Sequence, residues 1–466
     1  MGSNAPTHRE FLLVALLLAF LLFFFKNNGS GDPYASLSEV ADDLVSTFSE
    51  KSIPSVPSNA RLSWNSGSVP QTKIISHVPG WTLLDKMYVL NGTVYIVTDQ
   101  PDIVPDRKFI TSTGVDIGNS REEVQARLPT DRDMRIISPE EAKKLFGTGA
   151  NRVEGLTWLA NDPRQFITHY YHWSAELFFG FWRAYSALDP LIPETGRTAL
   201  PPPRRMLFTH LDAEHWRDYA SMNQYVLRTT FPAASMEFSA DWADRAAMGT
   251  PFVFDRVLFA DRAAAINGDN FGKTQRTASE AFVLPASAHW WSTVRNSVIE
   301  ASGLNASPVI TYISRQNWPR RKLIQSDDDV LVEELYKLQD QYGYEVNVVS
   351  MDQMSRVEQL QLAGRTTIMM GVHGNGLTSL LWMKPSPRST VMEFFYPGGF
   401  AHDYEYTTRA LGMVHYGFWG SSIFTSPDTP PVAYPEGFQG NEIPIDGREV
   451  ARLCHERLSL ADEADD

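Results

Sequence analysis

The chain has 466 residues, of which 43% are hydrophobic and 12% aromatic, and its formal net charge is -14 because 55 aspartates and glutamates outnumber 41 lysines and arginines. This acidic balance argues against a protein that holds nucleic acid by bulk charge, since that mode of binding needs an excess of basic side chains. The length and hydrophobic content predict two or three folded domains. The single cysteine, Cys454, excludes an intramolecular disulfide, a four-cysteine zinc site and a CxxC redox pair.

An apolar run from Phe11 to Phe25, followed by Lys26, is the first landmark of the chain. At ~1.5 Å per residue it would span roughly 22 Å as a helix, slightly less than the ~27 to 30 Å core of a thin bilayer. The alternatives are a cleaved signal peptide and an uncleaved signal anchor. No small-residue cleavage site follows, so we expect a cytoplasmic tail (1–10), a transmembrane signal anchor (11–26) and a lumenal remainder.

Residues 27–70 are rich in Ser, Pro, Asn and Gly and have no apolar pattern long enough for a core. This composition predicts a stem or linker. The triplets that begin at Asn28, Asn91 and Asn305 match the N-glycosylation sequon, which is compatible with a secretory lumen but frequent by chance.

Residues 71–303 mix strand-like runs with amphipathic helices, and we expect them to form an N-terminal Rossmann-like domain. Apolar runs predict strands over 93–99, 205–210 and 252–259. A helix is predicted from Thr168 to Tyr185, because its apolar aromatic residues recur at three- and four-residue spacing and would turn one stripe towards a core.

Residues 304–450 alternate strands and helices, which predicts a second α/β domain with a parallel sheet. The expected strands cover 308–315, 344–350, 367–372, 389–395 and 413–418, and the expected helices cover 327–342, 353–363, 376–383 and 404–411. In such sheets, ligands bind beyond the carboxyl ends of the strands. Residues 451–466 end in several acidic residues and are expected to be an acidic tail.

A glycine-rich turn follows the strand predicted over 367–372 and contains Gly371, Gly374 and Gly376. Glycines let the backbone approach a ligand closely, and the start of the next helix offers unpaired N–H groups. His373 adds a side chain that can donate to phosphate, and Asn375 stands beside it. The turn is therefore a candidate diphosphate site, although a tight strand-to-helix turn needs glycines for steric reasons alone.

A basic run leaves another strand at the same edge of the predicted sheet and contains Arg315, Arg320, Arg321 and Lys322. Guanidinium groups match phosphate oxygens in a bidentate manner. Taken alone, this run could equally be a solvated basic loop. Two candidate loops at one sheet edge favour a shared anion site.

Together these motifs resemble glycosyltransferase family 61. The resemblance rests on YISRQ at 312–316, the arginine pair after it, Gln359, GVHGNGLTS at 371–379 and VMEF at 391–394. The hallmark of the family has alanine where this chain has Asn375. The family includes plant β-1,2-xylosyltransferases, xylan arabinosyltransferases and lumenal O-GlcNAc transferases. The likeness covers residues 309–418 well, and upstream it is confined to residues 168–172 and the helix after them.

The resemblance implies a GT-B architecture, in which two Rossmann-like domains face each other across a cleft and the C-terminal one holds the nucleotide sugar. It also implies inverting transfer with no essential metal and no other cofactor. Arginines and a helix dipole can then neutralise a departing diphosphate. The aspartates Asp327, Asp328 and Asp329 could suggest a metal motif, but they lie at the start of a predicted helix, where we expect them to cap free N–H groups.

An inverting transfer needs a base that removes the acceptor hydroxyl proton. His172 and Glu176 are the first candidates, because they are four residues apart and share one face of the predicted helix. The alternative for this pair is a core contact in which the two side chains merely satisfy each other. Asp212, with His215 three residues later, is the second catalytic candidate.

Three further residues are candidate donor contacts. Glu393 ends a predicted strand, where a carboxylate suits the ribose hydroxyls, and its alternative is a buried salt bridge with an arginine. His402 and Asp403 are possible contacts to the sugar.

The sequence thus predicts a type II membrane glycosyltransferase of the Golgi or endoplasmic reticulum, with a UDP-sugar and a glycan or glycoprotein as partners and no nucleic acid. The sugar would be xylose or GlcNAc. Two alternatives stay open: a non-catalytic nucleotide-sugar or glycan binder of the same fold, and a dinucleotide-dependent oxidoreductase. The oxidoreductase is weakened because the turn around His373 is not GxGxxG and comes late in its domain.

Overall fold

The computed structural model describes residues 60–300 and 309–461, which lie in one compact unit that begins at Ala60. The predicted tail (1–10), the signal anchor (11–26) and most of the stem lie outside the described residues. Within the described ranges, no helix has the length and apolar character needed to cross a membrane.

Nine strands form the first sheet. They are β1 (Arg61–Ser63), β2 (Lys73–Val78), β3 (Trp81–Leu90), β4 (Thr93–Val97), β5 (Met134–Ile137), β6 (Gly149–Ala160), β7 (Arg205–Phe208), β8 (Ser235–Glu237) and β9 (Phe252–Ala260). The order is β5-β4-β3-β9-β6-β7-β8, with β1 paired to β6 and β2 to β3. The strands β6 to β9 are parallel, and in chain order they are arranged 3-2-1-4, as in a Rossmann half. The antiparallel β3 extends this core on the far side of β9.

The helices of this part are mostly short. They are α1 (Arg121–Ala126), α2 (Pro139–Phe146), α3 (Phe179–Ser186), α4 (Met222–Thr230), α5 (Ser239–Ala247), α6 (Arg262–Ala265), α7 (Asp269–Thr274) and α8 (Ser292–Glu300), with 3-10 turns at Pro101–Ile103, Arg107–Phe109 and Thr277–Val283. A π-helical segment, His172–Phe178, runs directly into α3. Every residue from Trp173 to Ser186 is buried, so this helix is enclosed on all sides and does not present a single stripe to a core.

Six strands form the second sheet: β10 (Val309–Ile313), β11 (Glu345–Val349), β12 (Thr366–Val372), β13 (Thr390–Phe394), β14 (Val414–Trp419) and β15 (Ser422–Phe424). The order is β11-β10-β12-β13-β14-β15, and only the edge strand β15 is antiparallel. The helices of this part are α9 (Gln325–Tyr342), α10 (Arg356–Arg365), α11 (His402–Ala410) and α12 (Gly447–Leu458), with 3-10 segments at Met351–Gln353 and Asn375–Trp382. The predicted alternation of strands and helices is confirmed.

The strand order reverses between β10 and β12, because the chain goes from β10 to β11 on one side and then returns to β12 on the other. The two strands are in register at their carboxyl ends, where Ile313 pairs with Gly371. The loops after β10 and β12 therefore start side by side at a topological switch point, which is where ligands bind in open α/β sheets.

Two expected boundaries differ from the structure. Residues 61–63 fall in the predicted stem, yet they form β1 and pair with β6. The expected acidic tail from residue 451 begins inside α12, which continues to Leu458 because Val450, Leu453 and Cys454 pack one apolar face against the second sheet.

The two sheets share one apolar core, in which the π-helical segment packs against the 3-10 segment Asn375–Trp382. Trp382 donates its indole N–H to the hydroxyl of Tyr170 at 2.7 Å. Arg295 of α8 donates to the carbonyls of Trp382 and Met383 at 3.1 and 3.0 Å. These hydrogen bonds join the first part of the chain to the 3-10 segment of the second part, so the two sheets belong to one packed unit.

Candidate active site

A cavity of about 690 Å³ lies between the two sheets. Its volume is in the range of sites that hold cofactor-sized ligands. His169, His172, Tyr219 and Arg276 line it from the first sheet's part of the chain, and Arg315, Arg320, Arg321, His373, Asn375, Gly376 and Asp403 line it from the second. The cavity thus opens at the switch point and collects side chains from both halves.

Arg315 and Arg321 converge on Gly374. A Cβ atom built on Gly374 would lie 3.3 Å from Nη1 of Arg315 and 3.6 Å from Nη1 of Arg321. Arg315 also donates from Nε to the carbonyl of Arg321 at 3.2 Å, and its guanidinium lies 4.9 Å above the ring centre of Trp318. The basic run and the glycine turn therefore meet at one place.

The two guanidinium groups have no carboxylate partner among the described residues. Arg321 instead donates to the amide oxygen of Gln439 at 2.5 Å. Burial, and then the neighbouring charge of Arg321, lower the pKa of Arg315. Burial is also the main cause that lowers the pKa of Arg321. Two half-buried cations that repel each other favour an anionic ligand, because the ligand replaces both the lost hydration and the missing counter-charge.

The three glycines of the turn have different roles. A Cβ on Gly371 would come 2.9 Å from the carbonyl oxygen of Ile313, and a Cβ on Gly376 would come 3.0 Å from Cγ2 of the same isoleucine. These two glycines allow close packing of the turn on β10, although Gly376 also lines the cavity. Among the three, Gly374 is the one whose missing side chain leaves space in front of the arginines.

His373 is held from behind by a buried carboxylate. Its Nδ1 lies 2.6 Å from Oε1 of Glu393, whose Oε2 lies 2.9 Å from Nε2 of His415. Glu393 has 0% exposure and does not line the cavity. Both of its oxygens are engaged, so it is not available for the ribose contact that we expected, and its partners are two histidines and not an arginine.

His172 and Glu176 form the first predicted catalytic pair. Nδ1 of His172 donates to Oε2 of Glu176 at 2.6 Å, within the π-helical segment, and π-helical turns are frequent at functional sites. His172 lines the cavity, whereas Glu176 lies behind it with 5% exposure. Because Nδ1 carries the proton that Glu176 binds, Nε2 is the nitrogen left to accept a proton from a ligand.

Two arginines keep Glu176 ionised. Arg262 and Arg276 place Nη1 atoms 3.6 and 3.8 Å from its carboxylate. Burial by itself would raise the pKa of Glu176, but His172 and these arginines lower it to about 2. Arg276 also pairs with Asp403 at 2.7 Å, so the network crosses from the first half to α11.

Asp403 and Asn375 join the two halves at the cavity. Burial would raise the pKa of Asp403, but Arg276 and the nearby imidazoles lower it. Tyr171 donates its hydroxyl to the carbonyl of Asp403 at 2.7 Å and its backbone N–H to the amide oxygen of Asn375 at 3.2 Å. Asn375 in turn donates to the hydroxyl of Tyr219 at 2.6 Å. The residue that replaces the family's alanine is thus a bridge across the cleft.

Two other predicted groups lie away from the cavity. Asp212 and His215 bind each other at 2.6 Å on a partly exposed turn after β7, and neither lines the cavity. His402 binds Glu405 at 2.9 Å and also does not line the cavity. The structure does not bring Asp212 into contact with the other site residues, because the turn after β7 directs it to the surface.

The aspartates at the start of α9 do not cap its N–H groups. The helix begins at Gln325, so Asp327 and Asp328 lie inside its first turn. Asp327 accepts from the backbone N–H of Ile445 at 3.1 Å, and Asp328 accepts from the hydroxyl of Tyr312. Across residues 60–300 and 309–461, no group of three or more His, Cys, Asp or Glu side chains is arranged to hold a metal ion.

His169 lines the cavity and was not a sequence candidate. Its ring centre lies 5.0 Å from that of His172, and its Nδ1 has no hydrogen-bond partner. Burial lowers the pKa of His169 to about 4, so its ring is neutral at pH 7. Its spacing of three residues from His172 was the available signal. Arg276, also missed, lies in a loop with no distinguishing pattern.

Four non-glycine residues with left-handed backbone lie in or close to segments that line the cavity. Phe166, Ser221, Gln275 and Arg321 have φ values of 70°, 58°, 51° and 56°. Such values are uncommon for residues other than glycine, and strained positions cluster at functional sites. The ring of Phe166 lies 4.7 Å from that of His172, which is a direct contact with the candidate base.

The family comparison covers most of the residues that line the cavity. The model of the family described as Glycosyltransferase 61 matches residues 170–392, a range that contains His172, the basic run and the glycine turn. None of the curated proteins matches the chain significantly. The resemblance indicated by the motifs is confirmed, because residues 170–392 of this chain match the model of glycosyltransferase family 61.

Proposed function

We propose that this protein is an inverting glycosyltransferase of GT-B architecture, which transfers a sugar from a UDP-linked donor to a hydroxyl group of a glycan or glycoprotein. Family membership supports glycosyl transfer in general. The observation that carries the proposal is that one cavity places the Arg315–Arg321–Gly374 cluster and the His172–Glu176 pair together. The arginine cluster can bind a diphosphate, and the His172–Glu176 pair can act as a general base.

The donor diphosphate would bind where Arg315 and Arg321 face Gly374. The backbone N–H groups at the start of the Asn375–Trp382 segment add further donors. As the bond between C1 of the sugar and the phosphate oxygen breaks, these groups stabilise the negative charge on the diphosphate. We propose that they serve in place of a metal ion or other cofactor.

His172 would act as the general base. The acceptor oxygen attacks C1 from the face opposite the diphosphate and passes its proton to Nε2 of His172. The carboxylate of Glu176 stabilises the imidazolium that forms, as the acid does in other His–carboxylate pairs. UDP leaves with the electron pair of the broken bond, and the proton on His172 returns to solvent.

Two finer features complete the proposal. The donor sugar would be xylose or GlcNAc. The catalytic unit would lie in the lumen of the Golgi or endoplasmic reticulum, held by the anchor predicted over residues 11–26. The aromatic and imidazole groups near His172, including Phe166 and His169, support an acceptor with a sugar ring, because such groups pack against its apolar face.

Transfer and UDP binding, measured on the full-length protein, separate an enzyme from a non-catalytic binder. A panel of UDP-sugars should raise the melting temperature, with UDP-xylose or UDP-GlcNAc giving the largest shift. We expect His172→Gln to lower turnover by ~100- to 10,000-fold without loss of UDP binding, since that is the range for a general base.

Asp212→Asn is the matched control, because Asp212 belongs to a second His–carboxylate pair outside the cavity. It should leave turnover at the wild-type level. Loss of turnover in Asp212→Asn with normal turnover in His172→Gln would contradict the assignment of the base. Donor binding without turnover in the wild type under every acceptor would favour the binder.

A further inference from the structure

We propose that Glu393 and His415 hold His373 as an imidazolium, so that its Nε2–H donates to the departing diphosphate. The proposal rests on the function proposed above and adds two positioning residues to it. Neither Glu393 nor His415 touches the cavity, and both would act through His373.

The geometry forms a line of three side chains across adjacent parallel strands. His373 follows β12, Glu393 lies on β13 and His415 on β14. The carboxylate of Glu393 binds Nδ1 of His373 at 2.6 Å and Nε2 of His415 at 2.9 Å. With Nδ1 turned inwards, Nε2 is the nitrogen of His373 that remains for the cavity.

An ionised Glu393 requires one positive charge on its two histidine partners, so His373 and His415 together must carry one proton more than two neutral imidazoles do. Glu393 is fully buried, and its ion-pair partners among the described residues are these two histidines alone. A buried carboxylate needs a compensating positive charge, because the protein interior solvates it poorly. One of the two rings therefore has to be an imidazolium if Glu393 is ionised.

The charge belongs on His373 and not on His415. Nδ1 of His415 is buried and has no hydrogen-bond partner, so a proton there would create a buried N–H without an acceptor. His415 instead stays neutral and donates from Nε2, which holds the second oxygen of Glu393. His373 has its second nitrogen at the cavity, where an N–H can meet a ligand.

Other charged or titratable groups face His373 from each element packed around it. They are Arg315 and Arg321 from the loop after β10, Asp403 and Tyr404 from α11, and Tyr434 from the loop after β15. Glu405 of α11 lies near His415, but its two oxygens are paired with His402 and Arg409. Asp403 favours the imidazolium. The two arginines oppose it until the diphosphate neutralises them, so the proton on His373 and the bound diphosphate support each other.

The proton stays on His373 during transfer. The acceptor oxygen bonds to C1, the bond from C1 to the diphosphate oxygen breaks, and the acceptor proton goes to His172. The hydrogen bond from His373 to the diphosphate strengthens as negative charge develops there. Product release leaves the imidazolium unchanged.

The test is UDP affinity measured calorimetrically from pH 5.5 to 8 for the full-length protein. In Glu393→Gln, UDP should bind about as well as to wild type at pH 5.5 but ~10-fold more weakly at pH 7.5. Without the carboxylate, the His373 ring should lose its extra proton within this range, and the protonated fraction then falls tenfold for each further pH unit. The titration of UDP itself is common to all variants and cancels in the comparison.

Asp328→Asn is the matched control, since Asp328 is a buried carboxylate that binds Tyr312 and does not line the cavity. Its pH profile should match that of the wild type. Equal weakening at every pH in Glu393→Gln would show a merely structural role and overturn the proposal, as would an unchanged profile. Failure of the wild type to bind UDP at any pH would instead overturn the proposed function.

A measurement on the wild type keeps the test independent of variant folding. Nitrogen-15 NMR of the histidine rings at pH 7.5, with His373→Gln used to assign the signal, should show His373 protonated on both nitrogens and His415 neutral. A neutral ring at position 373 would overturn the proposal.

Discussion

The guanidinium of Arg315 is held in place by Trp318 and by the carbonyl of Arg321, but it has no counter-ion among the described residues. We expect Arg315→Ala to raise the donor KM and to lower turnover by ~10- to 1,000-fold, since removal of one donor to a developing charge has an effect of this size. Steady-state kinetics with the best UDP-sugar of the panel measures both constants.

Lys322→Ala is the matched control for Arg315→Ala. Lys322 belongs to the same basic run but does not line the cavity. If general electrostatic attraction of the run accounted for donor binding, the two variants would lose activity equally. A loss confined to Arg315→Ala supports a specific contact.

Residue identity alone was a poor guide to what each side chain contacts. Glu393 was expected to bind ribose, and it is instead enclosed between two histidines, one of them on the next strand. Asp212 was expected to be a catalytic candidate, and it lies on the surface with His215. The partners of Glu393 are about 20 residues away in sequence, whereas Asp212 binds a local partner on a turn that lies outside the cavity.

The turn after β12 makes a prediction at the level of a structural element. In Gly374→Ala, the new methyl group would lie 3.3 Å from Nη1 of Arg315, within the space proposed for the diphosphate. The φ of Gly374 is 162°, which any residue adopts, so folding should be little affected. We expect UDP affinity to fall by ~10-fold, which corresponds to ~1.4 kcal/mol.

Gly343→Ala is the control for this turn. Gly343 ends α9 with a φ of 71° and has open space around its Cβ position, so alanine there should reduce stability through backbone strain and leave UDP affinity unchanged. Calorimetric UDP titration and thermal unfolding of both variants separate the two effects. A similar UDP affinity for Gly374→Ala and wild type would remove the turn from the diphosphate site.

The π-helical segment contributes a pH-dependent part of the stability. Glu176 has its pKa lowered to about 2, so its ion pairs stabilise the fold above the usual carboxylate pKa and are lost as the pH falls from about 4.5 to 2. The shift corresponds to a contribution on the order of 3 kcal/mol at neutral pH. The difference in unfolding free energy between wild type and Glu176→Gln should therefore shrink as the pH is lowered through this window.

Urea unfolding at pH 7, 4 and 3 measures this difference. Asp212→Asn serves as the reference, because the Asp212–His215 pair is partly exposed and screened by solvent. It should have little effect at any pH. A constant difference for Glu176→Gln across the series would contradict the assigned ionisation of Glu176.

At the scale of the whole molecule, Cys454 reports on global unfolding. Its thiol is fully buried between α12 and the second sheet, and burial raises its pKa. Because Cys454 is the only cysteine of the chain, we expect no reaction with a thiol reagent in the native state and one equivalent in denaturant. The rate of labelling along a guanidinium titration, compared with that of free glutathione, measures the transition. Rapid native-state labelling would contradict this packing.

The sequence by itself was enough to predict the five parallel strands of the second sheet, the helices α9 to α11 and the family resemblance, but it predicted neither β15 nor α12. Strand and helix periodicity is local, and the loops after β10 and β12 can be assigned to one sheet edge once the strands are parallel. Only the tertiary structure showed that Arg315 meets the glycine turn. This contact depends on the register between β10 and β12, which are neighbours in the sheet although β11 lies between them in the chain.

Only the tertiary structure decided which candidates face the cavity. It placed His169 and Arg276 at the site, enclosed Glu393 and left Asp212 outside. The direction of a side chain at the end of a strand is set by its neighbours in the sheet and by the helix packed over it, and both can come from anywhere in the chain. A local pattern can therefore identify an element and its chemistry, whereas the partner of each polar group is set by long-range packing.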